Sequence, residues 1–369
     1  MTTSAQSILL LGAGELGSAI LTPLSTYLNI KITVAVRDPS RYASLECEKT
    51  SLTTLSLTDL SVEELATAFT PFDIIIGCSG FGMPAGSQMK IAKATLAAGK
   101  QRIVAGKRAI RYFPWQWGVD YDITGDANGT MELFGEQLSV RNLLRAQAAE
   151  SGVNWTIVST GIFMSFLFES YWGVVELGGE GVVVRALGSW ENRVTVSTVE
   201  DIGLIAARIV CASESELETK DKIVYMAGET ISYTRLAEVV EIVLGKKVRR
   251  ELWSVGHLKE ELKQDPDSLV KKYRVVFAEG NGAARFDYLE DPPSLAEGIL
   301  PAGPYSVLQV LPCLAETRSL AAAYQALVVC YQVVGMAFLE EESPHYLEEM
   351  VGMACYQALQ AYLAAGTAY

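Results

Sequence analysis

The residues that most restrict the possible folds lie near the start of the chain. There the apolar run Ser7-Ile8-Leu9-Leu10-Leu11 passes directly into Gly12-Ala13-Gly14-Glu15-Leu16-Gly17. A buried strand that ends in this glycine spacing and opens a helix is the sign of a dinucleotide-binding turn. Gly12 permits the tight turn, Gly14 lets backbone approach a pyrophosphate, and Gly17 allows the helix to pack close on the strand. The helix N-terminus then offers amide groups and a partial positive charge to phosphate oxygens. Glu15 and Leu16, between the glycines, count with them as cofactor-binding positions.

The chain beyond this turn keeps to the same architecture. Strands are predicted at Ser7 to Leu11, Lys31 to Val36, Ile74 to Cys78, either near Ile103 to Val104 or at Arg111 to Phe113, and Trp155 to Val158. Helices are predicted between them at Glu15 to Tyr27, Ser61 to Ala68, Ser87 to Ala98 and Met131 to Ser151, with a capping box formed by Ser61 and Glu64. Short β-branched runs alternating with longer helical stretches predict an α/β fold, a Rossmann-type doubly wound parallel sheet, over residues 1–158. Residues 159–290 read as a smaller mixed α/β lobe on the substrate side, interleaved with the first. Its strands are expected at Val182 to Ala186 and Arg193 to Ser197, and its helices at Thr198 to Ala212 and Ser232 to Leu244. Residues 291–369 read as a helical C-terminal extension, through which two subunits can pair as a homodimer.

Composition narrows the partners. A formal net charge of -13 opposes nucleic acid and anionic membrane surfaces. The six cysteines are scattered without a CxxC pair, and only two histidines accompany them, so no metal site is expected and the thiols read as reduced in a cytoplasmic protein. No basic segment precedes the first apolar run, which reads as a strand and not as a signal peptide. The uncharged stretch Ser319 to Leu339 approaches the length of a membrane span, but its glutamines and the Glu340-Glu341-Glu342 after it favour a buried helix.

At the end of the second strand stands Arg37, in Val36-Arg37-Asp38-Pro39-Ser40-Arg41. An NAD site places a carboxylate here for the ribose, whereas a guanidinium suits a 2′-phosphate, so NADP(H) is the expected cofactor. Asp38 leaves open a competing contact to the ribose. Gly77-Cys78-Ser79-Gly80-Phe81-Gly82 ends the predicted strand Ile74 to Cys78 with small residues that let a cofactor lie over the sheet edge.

Together with GAGELG and VRDPSR, the segments Arg111 to Gly125 (RYFPWQWGVDYDITG), Leu143 to Gln147, Val158 to Glu169, Arg185 to Trp190 and Val194 to Gly203 resemble the NmrA-like and isoflavone-reductase-like branch of the atypical short-chain dehydrogenases, fungal members especially. The resemblance implies NADP(H) on Gly12, Gly14, Gly17 and Arg37. It puts the nicotinamide end near Ser79, Gly80, Phe81 and the turn Thr160-Gly161-Ile162-Phe163. Two departures stand out. The lysine that assists proton transfer in the plant reductases is replaced by Gln137, and an amide cannot act as a general acid near neutral pH. The stretch Lys100 to Ile110 is also longer than the expected loop into the fifth strand.

By family position, Gln137, Gln116, Tyr121 and Asp120 are the candidate catalytic groups, with Thr160, Tyr171 and His257 as further polar side chains. Trp115, Trp117, Phe166, Tyr171 and Trp172 are expected to line a pocket for a flat aromatic substrate, unless they serve as ordinary core. These readings predict an NADP(H)-dependent reductase of an aromatic or alkaloid-like small molecule, in fungal secondary metabolism. The resemblance keeps two alternatives open: a cyclase or condensing enzyme that retains NADP(H) as scaffold, and a redox-sensing regulator that binds NADP(H) without turnover.

Overall fold

The computed structural model describes residues 5–178, 181–212 and 218–280. In chain order the strands are β1 (Gln6–Leu11), β2 (Ile30–Val36), β3 (Thr50–Thr54), β4 (Ile74–Gly77), β5 (Ile110–Phe113), β6 (Val153–Ser159), β7 (Ile162–Phe163), β8 (Val175–Glu176), β9 (Val183–Leu187), β10 (Arg193–Ser197), β11 (Lys222–Tyr225), β12 (Glu229–Ser232) and β13 (Arg249–Trp253). The α-helices are α1 (Glu15–Leu24), α2 (Val62–Phe69), α3 (Ser87–Val104), α4 (Tyr121–Thr124), α5 (Glu132–Gln147), α6 (Val199–Cys211), α7 (Tyr233–Leu244), α8 (Val255–Gln264) and α9 (Leu269–Glu279).

Seven strands form one sheet in the order β11-β6-β5-β4-β1-β2-β3, and every neighbouring pair is parallel. The strand order reverses between β1 and β4, so the carboxyl ends of these strands flank a crevice where doubly wound folds bind ligands. Strand β1 shows how the sequence builds two layers. Ile8 and Leu10 face a core completed by Leu16 and Ile20 of α1 and Ile202 and Ile205 of α6. Leu9 and Leu11 face the opposite core, with Leu65 of α2, Ile91 of α3 and Val140 and Leu144 of α5. A strand buried on both faces needs an uninterrupted apolar run, and Ile8 to Leu11 supplies it. The remaining strands form two three-stranded sheets, β12-β10-β7 and β13-β9-β8.

The chain divides into two compact units, residues 1–236 with 249–304, and residues 237–248 with 305–369. All three sheets lie in the first. Of the second, residues 237–248 are described, and within them Glu241 accepts hydrogen bonds from Lys247 Nζ (2.9 Å) and the Val248 amide (3.3 Å). The helical extension expected over 291–369, its apolar stretch Ser319 to Leu339 and the homodimer contact assigned to it lie outside the described residues. Among the described residues no helix is long and apolar enough to cross a membrane, and no group of three or more His, Cys, Asp or Glu is placed to hold a metal.

The capping box of α2 is formed: Ser61 Oγ accepts from the Glu64 amide (3.1 Å) and Glu64 Oε2 from the Ser61 amide (2.8 Å). The region around Ile103 differs from one of the two predicted strands. Helix α3 continues to Val104, and the fifth strand is Ile110–Phe113. The residues beyond Ala98 thus lengthen a helix, and Arg102 fixes the added turn. Its buried guanidinium donates to the carbonyls of Thr70, Phe72 and Arg108 and pairs with Asp73 at 2.6 Å. Helix α1 stops at Leu24, short of the expected Tyr27, with Pro23 in its last turn.

Candidate cofactor and substrate cavity

A cavity of about 930 Å³ runs along the carboxyl ends of β1, β2, β4, β5 and β6. At its centre is the glycine turn. Gly12 has a φ of +109°, and a Cβ there would stand 2.1 Å from Ser79 Oγ; one on Gly17 would stand 2.1 Å from the Gly12 carbonyl oxygen. Only glycine lets these segments meet. Around Gly14, by contrast, the space is open. Gly14 is also the N-cap of α1 and offers no side chain to the first-turn amides, which leaves those donors to a ligand. The turn, the open space and these amides, which have no partner among the described residues, together fit a pyrophosphate.

One end of the cavity is lined by Arg37, Asp38, Arg41, Tyr42 and Thr58. Asp38 is committed locally: its Oδ1 accepts from the Ser40 amide (3.1 Å) and the Ser40 hydroxyl (2.6 Å), capping the helical turn Pro39–Leu45. These hydrogen bonds hold the Asp38 carboxyl below its ordinary range. The turn carries Arg41 to the same wall as Arg37, which gives this end of the cavity two arginines, a residue type suited to paired, charge-assisted hydrogen bonds with a phosphate.

The other end is aromatic. Tyr273 of α9 is the common neighbour, with ring centroids 6.5 Å from Phe81, 5.3 Å from Phe134, 6.4 Å from Trp172 and 6.2 Å from Phe277. Phe166 adds contacts to Phe81 (6.0 Å), Tyr171 (5.6 Å) and Trp172 (5.6 Å). The rings meet mostly edge to face, the arrangement their quadrupoles favour. Trp115 and Trp117 also line the cavity, and Trp117 Nε1 donates to the Gly77 carbonyl at 2.9 Å.

Behind this wall lies a buried polar network centred on Arg141 of α5, which is fully enclosed. Its Nε donates to Gln116 Oε1 (2.8 Å), its Nη1 to Asp120 Oδ1 and Asp122 Oδ2 (2.8 Å each), and its Nη2 to Ser159 Oγ (3.1 Å). Tyr225 donates to the second Asp120 oxygen at 2.7 Å, and Gln116 Nε2 to the Gln137 carbonyl at 2.9 Å. The network pins the loop from Gln116 to Asp122 against β6. That loop meets the turn after β6 at Gly118, whose carbonyl accepts from the amides of Thr160 (2.9 Å) and Gly161 (3.1 Å).

The expected cofactor residues Gly12, Gly14, Glu15, Leu16, Arg37, Ser79, Gly80, Phe81, Gly161, Ile162 and Phe163 all line the cavity; Gly17 and Thr160 stand behind it. All five expected substrate-pocket residues line it as well. The four catalytic candidates separate. Tyr121 reaches the cavity, whereas Gln116, Asp120 and Gln137 do not. The Gln137 amide is buried, and neither of its polar atoms has a hydrogen-bond partner among the described residues. His257 lies on α8, half exposed and 3.7 Å from Glu261, away from the cavity. Tyr273 and Phe277 were absent from the sequence expectations, although a signal exists. Leu269, Tyr273 and Phe277 recur at every fourth residue between the N-cap Ser268 and Gly280, whose φ is +63°.

With this geometry in view, comparisons with known proteins agree on the family. The model of the NmrA-like family matches residues 4–291. An NmrA-like family domain-containing oxidoreductase of Gibberella moniliformis is 40% identical over 292 residues, covering 75% of this chain and 89% of that protein. The NADPH complex of leucoanthocyanidin reductase from Vitis vinifera superposes with a TM-score of 0.62 at 17% identity, over 84% of this chain and 98% of that one. An isoflavone reductase structure does so with a TM-score of 0.61 at 19% identity, over 88% and 100%. At such identities the likeness to the solved structures speaks for the fold. The family model and the fungal relative carry the assignment: the chain belongs to the NmrA-like family.

Proposed function

We propose that this protein is an NADP(H)-dependent oxidoreductase that reduces an aromatic small molecule. The observation that carries the reading is the continuity of one cavity, from two guanidiniums, past a glycine turn with unused amides, to a box of aromatic rings. In this reading Arg37 and Arg41 hold the 2′-phosphate, and the backbone from Gly12 to Leu16 holds the pyrophosphate. Ser79 to Phe81 and Gly161 to Phe163 border the nicotinamide, which when bound supplies the hydride. Phe81, Phe166, Tyr171, Trp172 and Tyr273 border the acceptor, and a flat ring system buries much of its surface against them. The name oxidoreductase on the 40%-identical relative, and the NADPH in the leucoanthocyanidin reductase complex, support the cofactor and the reaction class.

The test is direct. Calorimetry on the purified protein is expected to show binding of NADPH at least about tenfold tighter than NADH, the discrimination that one or two charge-assisted hydrogen bonds supply. NADPH is expected to be oxidised in the presence of aryl aldehydes, ketones or enones. Binding without oxidation across such a panel refutes the reductase and favours a scaffold or sensor role for the nucleotide.

A further inference from the structure

We infer that the Tyr121 phenol donates the proton that completes the reduction, with the buried Arg141 guanidinium supporting the phenolate left behind; this rests on the reductase reading above. Hydride delivery to a neutral carbonyl or enone leaves an electron pair and a developing negative charge on the acceptor oxygen. A positioned acid must meet that charge. The family position for such a group holds Gln137, an amide that lies off the cavity with both polar atoms buried.

The cavity's own side chains narrow the choice. The Ser79 hydroxyl is spent on the Leu11 carbonyl at 3.0 Å. Cys78 is a buried thiol that desolvation alone pushes far up, with no cation to offset it as Arg141 does at Tyr121. Tyr171 is 47% exposed, and desolvation first, then the nearby carboxylates of Glu169 and Glu15, oppose formation of a phenolate there. Tyr273 is ringed by aromatics, and among the described residues no cation stands over its ring.

Tyr121 differs in what stands behind it. The Arg141 guanidinium carbon lies 5.1 Å from its ring centroid, held there by side chains that Arg141 cannot leave without stranding buried carboxylate. A fixed cation at this distance favours the phenolate over the phenol. The Tyr121 hydroxyl sits over Gly118, 2.7 Å from where a Cβ on that glycine would stand, beside the Gly161 turn assigned to the nicotinamide. No protein group takes up this hydroxyl among the described residues. Burial pushes the phenol up to about 12 while Arg141 draws it down, so it is protonated at neutral pH and available as an acid. In the step, the Tyr121 O–H bond breaks as an O–H bond forms on the acceptor oxygen. The phenolate then recovers a proton from water in the open cavity.

Tyr121→Phe keeps the ring and its edge contact with Phe134 at 5.2 Å while deleting the oxygen. The wild type, Tyr121→Phe and Tyr273→Phe are compared in three measurements. These are NADPH affinity by calorimetry, NADPH oxidation with cinnamaldehyde, benzylideneacetone and 1-indanone, and the infrared carbonyl stretch of the best of these acceptors on NADP+-loaded protein. Tyr121→Phe is expected to bind NADPH within about threefold of wild type. Its kcat should fall by about 100-fold or more, and the carbonyl downshift that a phenol hydrogen bond produces should disappear. If Tyr121→Phe retains kcat within about tenfold, or if the loss of turnover and downshift follows Tyr273→Phe instead, the assignment is overturned and the reductase reading survives. If the wild type oxidises NADPH with none of the three, the reductase reading falls and takes this inference with it.

Discussion

Replacing Arg141 with methionine tests whether the wall behind the cavity stands on one buried cation. Methionine keeps much of the aliphatic volume, so the change deletes charge and hydrogen bonds more than packing. In the folded protein Arg141 is fully buried and donates to Gln116, Asp120, Asp122 and Ser159 at 2.8 to 3.1 Å. The dominant loss falls on Asp120, a buried carboxylate that would lose its guanidinium while keeping, among others, the Tyr225 hydroxyl at 2.7 Å and the Asp122 amide at 3.0 Å. Removing one partner of a buried ion pair costs about 3–5 kcal/mol, because the charge left behind is poorly solvated. For a domain of this size that corresponds to a fall in Tm of roughly 6–20 °C. Urea melts followed by tryptophan fluorescence, and calorimetric scans, read both quantities. Arg145→Met is the comparison, since Arg145 reaches Asp122 from an exposed position and should cost less than about 1 kcal/mol. A loss below about 1 kcal/mol for Arg141→Met would show that the network is not what fixes this wall.

Replacing Arg37 and Arg41 together with alanine should weaken NADPH binding by about 10- to 100-fold and leave NADH nearly unaffected. Calorimetry with both nucleotides checks this, and equal losses for the two would remove the guanidiniums from the 2′-phosphate. The Asp122 carboxyl, held down to about 2 first by the Arg145 hydrogen bond and also by Arg141, gives a pH signature. A folded value below the ordinary 3.8 means that its contribution is complete above 3.8 and is lost as pH falls through about 2. The stability gap between wild type and Asp122→Asn in urea melts should therefore shrink across that window, and a gap that stays constant refutes the ion-pair account.

The sheet was largely readable because its inner strands are buried on both faces and must be apolar, as Ile8 to Leu11 and Ile74 to Ile76 are. The edge strands were not. Thr50–Thr54 is mostly polar, and Lys222–Tyr225 is too short to stand out from its surroundings. The end of α3 was missed for a different reason. Ile103 and Val104 look like strand residues, yet they are exposed on a helix held from the other side by Arg102, whose partners Thr70, Phe72 and Asp73 are distant in sequence. The glycine turn announced itself because local backbone geometry dictates each of its residues. The catalytic list resisted because burial decides between a cavity side chain and a wall side chain. Gln116, Asp120 and Tyr121 are near neighbours in sequence, yet only the last reaches the space where chemistry can occur.

The aromatic end of the cavity is assembled from stretches near residues 81, 134, 166–172 and 273–277, and the ring of Tyr273 neighbours a member of each. Under the proposed function, selectivity is thereby concentrated on one helix that takes no part in building the large sheet. On that proposal, a single substitution at position 273 would reshape the room left for a guest and leave the glycine turn as it is, so the scaffold could change clientele without relearning how to fold.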